Sequence, residues 1–266
     1  MMAIKYKTIK VESLSNYITL VTLNRPTVSN AFNSEMAKEL YVFFEALSLE
    51  SSFNTRCVII TGAGHKAFCS GGDLKERNGM SVRKWKTQHV IFERMIRSFI
   101  GCPVPIIGAI NGSAFGGGCE IVAALDFSFA VSSAKFAQTE VKLGIIPGIG
   151  GTQNLARAIG EKKAKELILT GDIISAEQAL NYGLINGIFS AEKLFGEVYA
   201  KAKTISSNGP IAVQQAKKAI QKGYNMSLID GLAFEIEAYN MTIPTSDRIE
   251  GIAAFNEKRK PNFKGQ

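Results

Sequence analysis

The 266-residue sequence is poor in histidine and cysteine, with two histidines and four cysteines. The two histidines, His65 and His89, give little support to a zinc site or to a Ser-His-Asp hydrolase. The four cysteines lie in apolar or glycine-rich stretches, and no two are close in sequence. Such a pattern is typical of buried thiols in a reducing compartment rather than of a disulfide framework. We therefore expect a cytoplasmic protein that holds no metal.

The sequence also lacks the apolar run of about 18 residues that a membrane-spanning helix needs. Its first ten residues alternate apolar and charged side chains, without an apolar stretch and a small-residue cleavage site. We therefore expect neither a membrane span nor a signal peptide, and we interpret residues 1–10 as the first strand. Apolar residues make up 46% of the chain and charged residues 20%, a balance that allows a sizeable core and excludes disordered and collagen-like classes.

Basic residues outnumber acidic residues by 31 to 23, which gives a formal net charge of +8. This charge favours solubility, or an anionic ligand such as a nucleotide or a coenzyme phosphate. Nucleic-acid binding would need clustered basic residues interleaved with aromatic ones. The longest basic clusters, at 83–86, 162–163 and 258–260, are far apart in sequence. We therefore do not expect a nucleic-acid partner.

Apolar strands alternate with loops and helices in the first 160 residues. Residues 57–61 and 106–110 are almost wholly apolar, as in strands that are buried on both faces. Amphipathic helices are predicted over 81–100 and from an N-cap at Ser34 to about Ser48. This order of elements is typical of an α/β protein with crossover helices.

After about residue 160 the pattern becomes mainly helical. The predicted helices cover 161–169, 175–182, 191–204, 210–222, 227–240 and 246–258. A helical layer that follows an α/β core often serves self-association, so we expect such a layer here.

Two glycine-rich loops each follow an apolar strand: Ser70-Gly71-Gly72 and Gly116-Gly117-Gly118. Glycine lets a ligand approach the backbone closely, and a loop that opens a helix directs free N–H groups outward. One N–H from each loop could hold a single oxygen, as in an oxyanion hole. The alternative is two tight turns that pack against helices. Neither loop has the G-x-G-x-x-G or G-x-x-x-x-G-K spacing of nucleotide-binding loops.

Two glutamates lie close to these loops in sequence. Every neighbour of Glu120 is small or apolar, and carboxylates are rarely buried without a partner or a purpose. The alternatives are that Glu120 complements a helix dipole and that Glu140 is a solvated residue paired with Lys142. Together the two could activate a water molecule and move a proton. We interpret Asp73 as a helix cap, and the turn at 145–152 as a support beneath Glu140.

Several segments form an ordered set: Asn24-Arg25-Pro26 with Asn30-Ala31-Phe32-Asn33, then residues 67–74, 111–120, 144–152 and the tail at 250–259. In composition and order they resemble the enoyl-CoA hydratase/isomerase (crotonase) family, and most of all its enoyl-CoA hydratases. The resemblance extends from about residue 4 to the end of the chain.

The resemblance implies an α/β fold in which β-β-α units form a spiral, here over residues 1–200. It implies a helical C-terminal region, residues 201–266, that supports a homotrimer or a hexamer of two trimers. The implied substrate is an acyl-CoA thioester, and no separate cofactor is implied because CoA is part of the substrate. Fatty-acid β-oxidation is the implied pathway.

The resemblance also implies a role for each of a set of residues. It assigns the oxyanion-hole N–H groups to Gly72 and Gly117. It implies that Glu120 positions and activates the water that adds at C3, and that Glu140 transfers a proton at C2. The substrate-binding residues it implies, besides these two glycines, are Thr27, Val28, Ser70, Asp73, Leu74 and Lys75.

Other functions within and near the family stay open at this point. Many isomerases keep only one of the two glutamates, and a relative could dehydrate a specialised acyl group. Some relatives of this fold bind RNA, which a charge of +8 would also suit. Position 72 is glycine where many hydratases have alanine, and Thr139 stands where proline is common. The segment at 77–88 should border the acyl pocket, but it has no pattern that predicts chain length.

Overall fold

The computed structural model of the chain describes residues 6–50 and 52–266, and its strands form two sheets. In chain order the strands are β1 (Ile9–Ser15), β2 (Ile18–Leu23), β3 (Cys57–Gly62), β4 (Ala67–Cys69), β5 (Ile106–Ile110), β6 (Ser113–Phe115), β7 (Phe127–Val131), β8 (Lys135–Ala137), β9 (Ile174–Ser175) and β10 (Gly187–Phe189). The larger sheet has the order β1-β2-β3-β5-β7-β10, and the smaller sheet has the order β4-β6-β8-β9. The pairs β1–β2 and β8–β9 are antiparallel, and the other pairs are parallel.

Helices connect the strands and form most of the last 100 residues. They are α1 (Ser34–Ser48), α2 (Leu74–Arg77), α3 (Val82–Gly101), α4 (Gly117–Ala124), α5 (Gly151–Ile159), α6 (Glu161–Thr170), α7 (Ala176–Tyr182), α8 (Ala191–Ser206), α9 (Pro210–Gly223), α10 (Leu228–Asn240) and α11 (Ser246–Asn256). Single turns of 3-10 helix cover Pro26–Val28 and Glu140–Leu143. None of the helices in the described part of the chain is both long and apolar enough to cross a membrane.

The chain passes between the two sheets in a repeated step. Strands β3, β5 and β7 lie side by side in the larger sheet, and each is followed by a short strand of the smaller sheet, β4, β6 or β8. Helical segments then return the chain to the next strand of the larger sheet. This is the predicted spiral of β-β-α units, and it stacks the loops that follow β4, β6 and β8 at neighbouring positions.

The core lies around the middle of the larger sheet. The apolar strands β3 and β5 pair in parallel, with Ile59 opposite Ile107, and both residues are fully buried. Helices α1 and α3 pack together through Phe44 and Phe99, whose ring centroids are 4.2 Å apart. Helix α8 packs against β3, β5 and β7. Burial of these strands by helices explains their continuous apolar sequences.

Most of the predicted bounds agree with the structure to within two residues, including all six predicted helices after residue 160. The first strand was placed wrongly. Of the predicted residues 1–10, residues 1–5 lie outside the described residues, and the observed strand starts at Ile9. Just before it, the N–H groups of Lys7 and Thr8 donate to the Glu39 carboxylate instead of to a neighbouring strand.

The N-cap of α1 is Asn33, so the prediction of Ser34 was wrong by one residue. The backbone of Asn33 is extended, and its side-chain oxygen accepts a hydrogen bond from Met36 N at 3.0 Å. Ser34 is the first helical residue, and its hydroxyl accepts a hydrogen bond from the Gln88 amide. The predicted caps and turns therefore lie in the right loop, but side-chain geometry selects the residue.

The helical region is tied to the core by an ion pair between Lys217 and Asp126. The Lys217 side chain on α9 is 7% exposed and donates to Asp126 Oδ2 at 2.7 Å and to Val104 O at 3.0 Å. Asp126 also accepts from Ile106 N at the start of β5. The predicted division at residues 200 and 201 falls inside α8, which packs on the larger sheet. We therefore propose that the helical region begins after Ser206.

Replacing Lys217 by methionine should lower the free energy of unfolding by about 1.5 kcal/mol, because Asp126 and Val104 O both lose a charged hydrogen-bond donor. The measurement is urea unfolding of the variant and the wild type at one protein concentration. Lys218→Met is the matched control, since Lys218 is exposed on the same helix, and its effect should stay within about 0.5 kcal/mol. Equal effects of the two substitutions would contradict the assignment.

Candidate active site

One cavity brings together four of the residues singled out in the sequence. Gly72, Gly117, Glu120 and Glu140 all line a cavity of about 680 Å³. They come from the loops that follow β4, β6 and β8, which the spiral places beside one another. The cavity therefore contains two carboxyl groups and the backbone of both glycine-rich loops.

The two glycine-rich loops approach each other closely. Gly71 has a φ of 95°, and a Cβ there would lie 2.9 Å from Phe115 O and 3.1 Å from Gly117 N. A side chain at position 71 would therefore push the loops apart, which explains the glycine. The N–H of Gly72 donates no hydrogen bond within the described residues. Gly117 is the first residue of α4, where an N–H has no acceptor in its own helix.

Glu120 lies in the first turn of α4 and is 3% exposed. Its Oε1 accepts hydrogen bonds from Ile149 N at 2.9 Å and from Gly151 N at 2.7 Å. The helix can lie this deep because Gly118 packs against β4, where a Cβ would come within 2.1 Å of Cys69 O. Two backbone donors and close packing fix the carboxyl group at the cavity wall.

Glu140 starts the 3-10 turn after β8 and is 8% exposed. Its Oε2 is buried and accepts no hydrogen bond from the described residues. A Cβ on Gly116 would lie 3.0 Å from Glu140 Oε1, so the second glycine-rich loop borders this carboxyl as well. Lys142 donates instead to Gly171 O at 2.7 Å. Glu140 is therefore not the solvated partner of Lys142 that the sequence left open.

Burial raises the pKa of Glu120 to about 7. The N–H groups of Gly151 and Ile149 oppose this rise, and the nearby charge of Glu140 adds to it. Burial also raises the pKa of Glu140. Glu120 can therefore gain or lose a proton near neutral pH, and burial favours the protonated form of Glu140, so the pair suits both acceptance and donation of a proton.

The comparisons with known proteins agree with this geometry. The model of the family described as enoyl-CoA hydratase/isomerase matches residues 13–266. The chain belongs to this family.

Two relatives are similar over nearly their whole length. The short-chain-enoyl-CoA hydratase of Clostridium acetobutylicum is 40% identical over 244 residues, which are 91% of this chain and 92% of that protein. The crotonyl-CoA hydratase of Syntrophomonas wolfei is 37% identical over 246 residues, 92% and 94% of the two chains.

A solved structure shows the same fold. The enoyl-CoA hydratase from Bacillus anthracis superposes with a TM-score of 0.95 at 43% identity, and the match covers 98% of this chain and 100% of that chain. The predicted crotonase fold is therefore confirmed.

The other predicted substrate-binding residues of this family member lie near the cavity in two groups. Leu74 and Lys75 line a second cavity of about 410 Å³, next to the first. Thr27 and Val28 lie in the turn at Pro26–Val28, where Ser70 Oγ donates to Val28 O at 3.4 Å. These three residues line neither cavity.

Asp73 is a helix cap, as predicted. Its Oδ1 accepts from Lys75 N at 3.0 Å and Glu76 N at 3.3 Å, which closes the start of α2. Its Oδ2 forms a 2.8 Å ion pair with Arg25, and these contacts hold the pKa of Asp73 below its usual range. Asp73 therefore fixes the first glycine-rich loop but does not line the cavity.

No group of three or more His, Cys, Asp or Glu side chains in residues 6–50 and 52–266 could hold a metal ion.

The turn at 145–152 contacts both glutamates: Ile145 N donates to Glu140 O at 3.2 Å, as its predicted place beneath Glu140 requires, and the turn also supports Glu120. It supplies both backbone N–H groups that bind Glu120, and a Cβ on Gly151 would lie 2.8 Å from the Glu120 Cγ. The contact joins residues about 30 positions apart, which no local pattern in the sequence reveals.

Several residues that line the cavity had no predicted role. They include Phe32, Arg77, Trp85, His89 and Phe92. Arg77 and Trp85 belong to the segment at 77–88, which was expected to border the acyl pocket but carried no interpretable pattern. The apolar face of α3 predicted that residues such as Phe92 are buried, but it did not predict that they line a cavity.

Glu120 should make stability depend on pH. Its pKa is higher in the folded chain than the ordinary 4.5, so the folded chain keeps a proton that the unfolded chain loses. The free energy of unfolding should therefore fall as pH rises from 4.5 to 7, by about 3 kcal/mol. Glu120→Gln should abolish this part of the pH dependence. Urea unfolding between about pH 4.5 and pH 8 measures it.

The exposed Glu166 offers a matched control for this prediction. Glu166→Gln should keep the pH dependence of the wild type. Parallel curves for the wild type and Glu120→Gln would show that Glu120 titrates normally.

Proposed function

We propose that this chain is an enoyl-CoA hydratase, which adds water across the 2,3 double bond of a 2-enoyl-CoA thioester. The observation that carries the proposal is the single cavity that two buried carboxyls and two free backbone N–H groups share. The names of the two relatives above support the same reaction. The cytoplasmic location and the place in fatty-acid β-oxidation stay predictions.

In the proposed reaction, Gly72 N and Gly117 N donate hydrogen bonds to the thioester oxygen. This contact draws electrons from C3 and stabilises the enolate that forms when C3 is attacked. Each such donor contributes about 3–4 kcal/mol at a preorganised site. Because both N–H groups belong to close-packed loops, little reorganisation is needed when the charge develops.

The two glutamates then divide the proton transfers. An ionised Glu120, held by two backbone N–H groups, takes a proton from water as the water oxygen bonds to C3. A protonated Glu140, whose Oε2 has no donor from the protein, gives its proton to C2. The π electrons of the double bond pass to the enolate and return to form the C2–H bond. The product is a 3-hydroxyacyl-CoA, and the site is restored when Glu120 releases its new proton to solvent and Glu140 takes one up. The net change is the addition of one water molecule, so the reaction consumes no cofactor.

The pair of glutamates favours hydration over isomerisation, because moving a double bond requires only one group that takes and returns a proton. The CoA part of the substrate would lie along the second cavity, beside Leu74 and Lys75, with the turn at Thr27 and Val28 and the backbone of Ser70 at its edge. Asp73 would act there by holding the loop.

Glu120→Gln and Glu140→Gln should each lower kcat for crotonyl-CoA by roughly 100- to 10,000-fold, since each removes one proton-transfer group. The dissociation constant of CoA should change by less than about threefold, as neither carboxyl contacts CoA. Loss of absorbance at the enoyl-thioester band measures turnover. A mild effect at Glu120 with a large one at Glu140 would favour isomerase chemistry, and absence of crotonyl-CoA hydration by the wild type would exclude the proposal.

We also propose that the chain assembles as a homotrimer, or as a hexamer of two trimers. Helices α10 and α11 expose many large apolar side chains, and soluble monomers rarely expose such large patches. The exposed residues are Leu228, Ile229, Leu232, Ile236, Tyr239, Ile249, Ile252 and Phe255.

Ile229→Glu should reduce the mass of the particle to that of a smaller assembly, because Ile229 is 74% exposed within this apolar patch. Light scattering after size-exclusion chromatography measures the mass. Leu49→Glu is the control, since Leu49 is exposed at the end of α1, away from the patch in sequence. A wild-type monomer would contradict the proposed assembly.

A further inference from the structure

Arg77 places a positive charge in the wall of the cavity that contains the two glutamates. It is half-buried and lines both this cavity and the neighbouring one. Its Cζ and Nη1 lie 3.6 Å from the position that a Cβ on Gly72 would occupy. The guanidinium is thus beside the loop whose N–H is proposed to bind the thioester.

The guanidinium is held in one orientation. Arg77 Nε donates to Gln88 Oε1 at 3.0 Å, and the Gln88 amide donates in turn to Glu76 Oε2 at 2.7 Å. The Arg77 Cζ lies over the rings of Trp85 and Phe92, 4.4 and 5.1 Å from their centroids. Stacking and one fixed hydrogen bond leave the fork formed by the two terminal nitrogens free to bind a ligand.

The terminal nitrogens of Arg77 make no hydrogen bond and no ion pair within the described residues. Burial lowers the pKa of Arg77, and the nearby charges of Glu76 and Glu120 oppose this effect. Neither carboxylate accepts a hydrogen bond from the guanidinium in the described residues, and Glu120 Oε1 is taken by the backbone of the 145–152 turn. Half-buried donors that lack a hydrogen-bond acceptor are costly, and a planar guanidinium fork matches a carboxylate with two parallel hydrogen bonds. The free fork therefore fits an anionic ligand.

Two parts of an acyl-CoA substrate are anionic or can be: the CoA phosphates and a carboxylate on the acyl group. The pantetheine arm separates the phosphates from the thioester, whereas Arg77 lies next to Gly72, at the proposed thioester site. A purely hydrocarbon acyl chain would offer the fork no acceptor. The position of Arg77 therefore favours an anion on the acyl group.

We propose that Arg77 binds a carboxylate at the far end of the acyl chain, so that the preferred substrates are CoA thioesters of short unsaturated dicarboxylic acids. This inference rests on the proposed hydratase function and names its substrate class. Arg77 is in this proposal a specificity-determining residue that contacts substrate, while Gln88 is a positioning residue.

Glutaconyl-CoA and crotonyl-CoA make a matched pair of probes, since they differ only in a carboxylate on C4. The wild type should hydrate glutaconyl-CoA with a kcat/KM roughly 10- to 100-fold above that for crotonyl-CoA, as expected for a charge-assisted hydrogen bond. In Arg77→Met this ratio should fall by about tenfold or more, whatever the change in kcat/KM for crotonyl-CoA itself. Because the ratio is measured within one variant, partial misfolding cancels.

Arg83→Met is the control variant, since Arg83 is exposed on α3 and lines neither cavity, and it should keep the wild-type ratio. Arg77→Lys should keep part of the preference, because the charge stays and the fork is lost. Hydration of crotonyl-CoA with no preference for glutaconyl-CoA would overturn this inference and leave the hydratase proposal standing. Equal losses for both substrates in Arg77→Met would assign Arg77 to the CoA part. Failure to hydrate either substrate would instead reject the hydratase function.

Discussion

The buried carboxyl of Glu120, bound by the N–H groups of Ile149 and Gly151, is the contact on which the site depends. It joins α4 to a turn about 30 residues later and aims one acidic group into the cavity. Burial raises its pKa while the two donors oppose that rise. The site therefore keeps a carboxyl close to the point where it can gain or lose a proton, at a cost in stability that the rest of the fold offsets.

Glycine makes this arrangement possible at a few close approaches. Gly118 lets α4 pack against the end of β4. Gly71 lets the two loops meet, because a Cβ at this position would lie 3.1 Å from Gly117 N. A methyl group at either place would overlap backbone atoms that are themselves fixed by the smaller sheet. The short strands of that sheet thus matter less for the core than for the spacing of the loops that follow them.

Charge in the cavity is balanced by residues from different parts of the chain. Glu120 and Glu140 supply two acidic groups, and Arg77 lines the same cavity with terminal nitrogens that donate no hydrogen bond within the described residues. Asp73, by contrast, is satisfied by Arg25 and by the start of α2, so it stiffens a loop without adding a reactive charge. Asp73 and Glu120 each follow a glycine-rich loop closely in sequence but have distinct roles, since Glu120 lines the cavity and Asp73 holds the loop that borders it.

The sequence by itself determined the alternation of apolar strands and helices, the two glycine-rich loops and the position of Glu120 among small and apolar neighbours. Those features are local: periodicity, glycine content and burial preference act over a few residues. It also carried enough ordered motifs to indicate the family. Only the tertiary structure decided that the turn at 145–152 binds the Glu120 carboxyl as well as the Glu140 backbone, that Asn33 rather than Ser34 caps α1, and that Arg77 enters the cavity. These are contacts between residues that are distant in sequence, or choices between adjacent donors, and they are set by sheet register and close packing, which a local pattern does not encode.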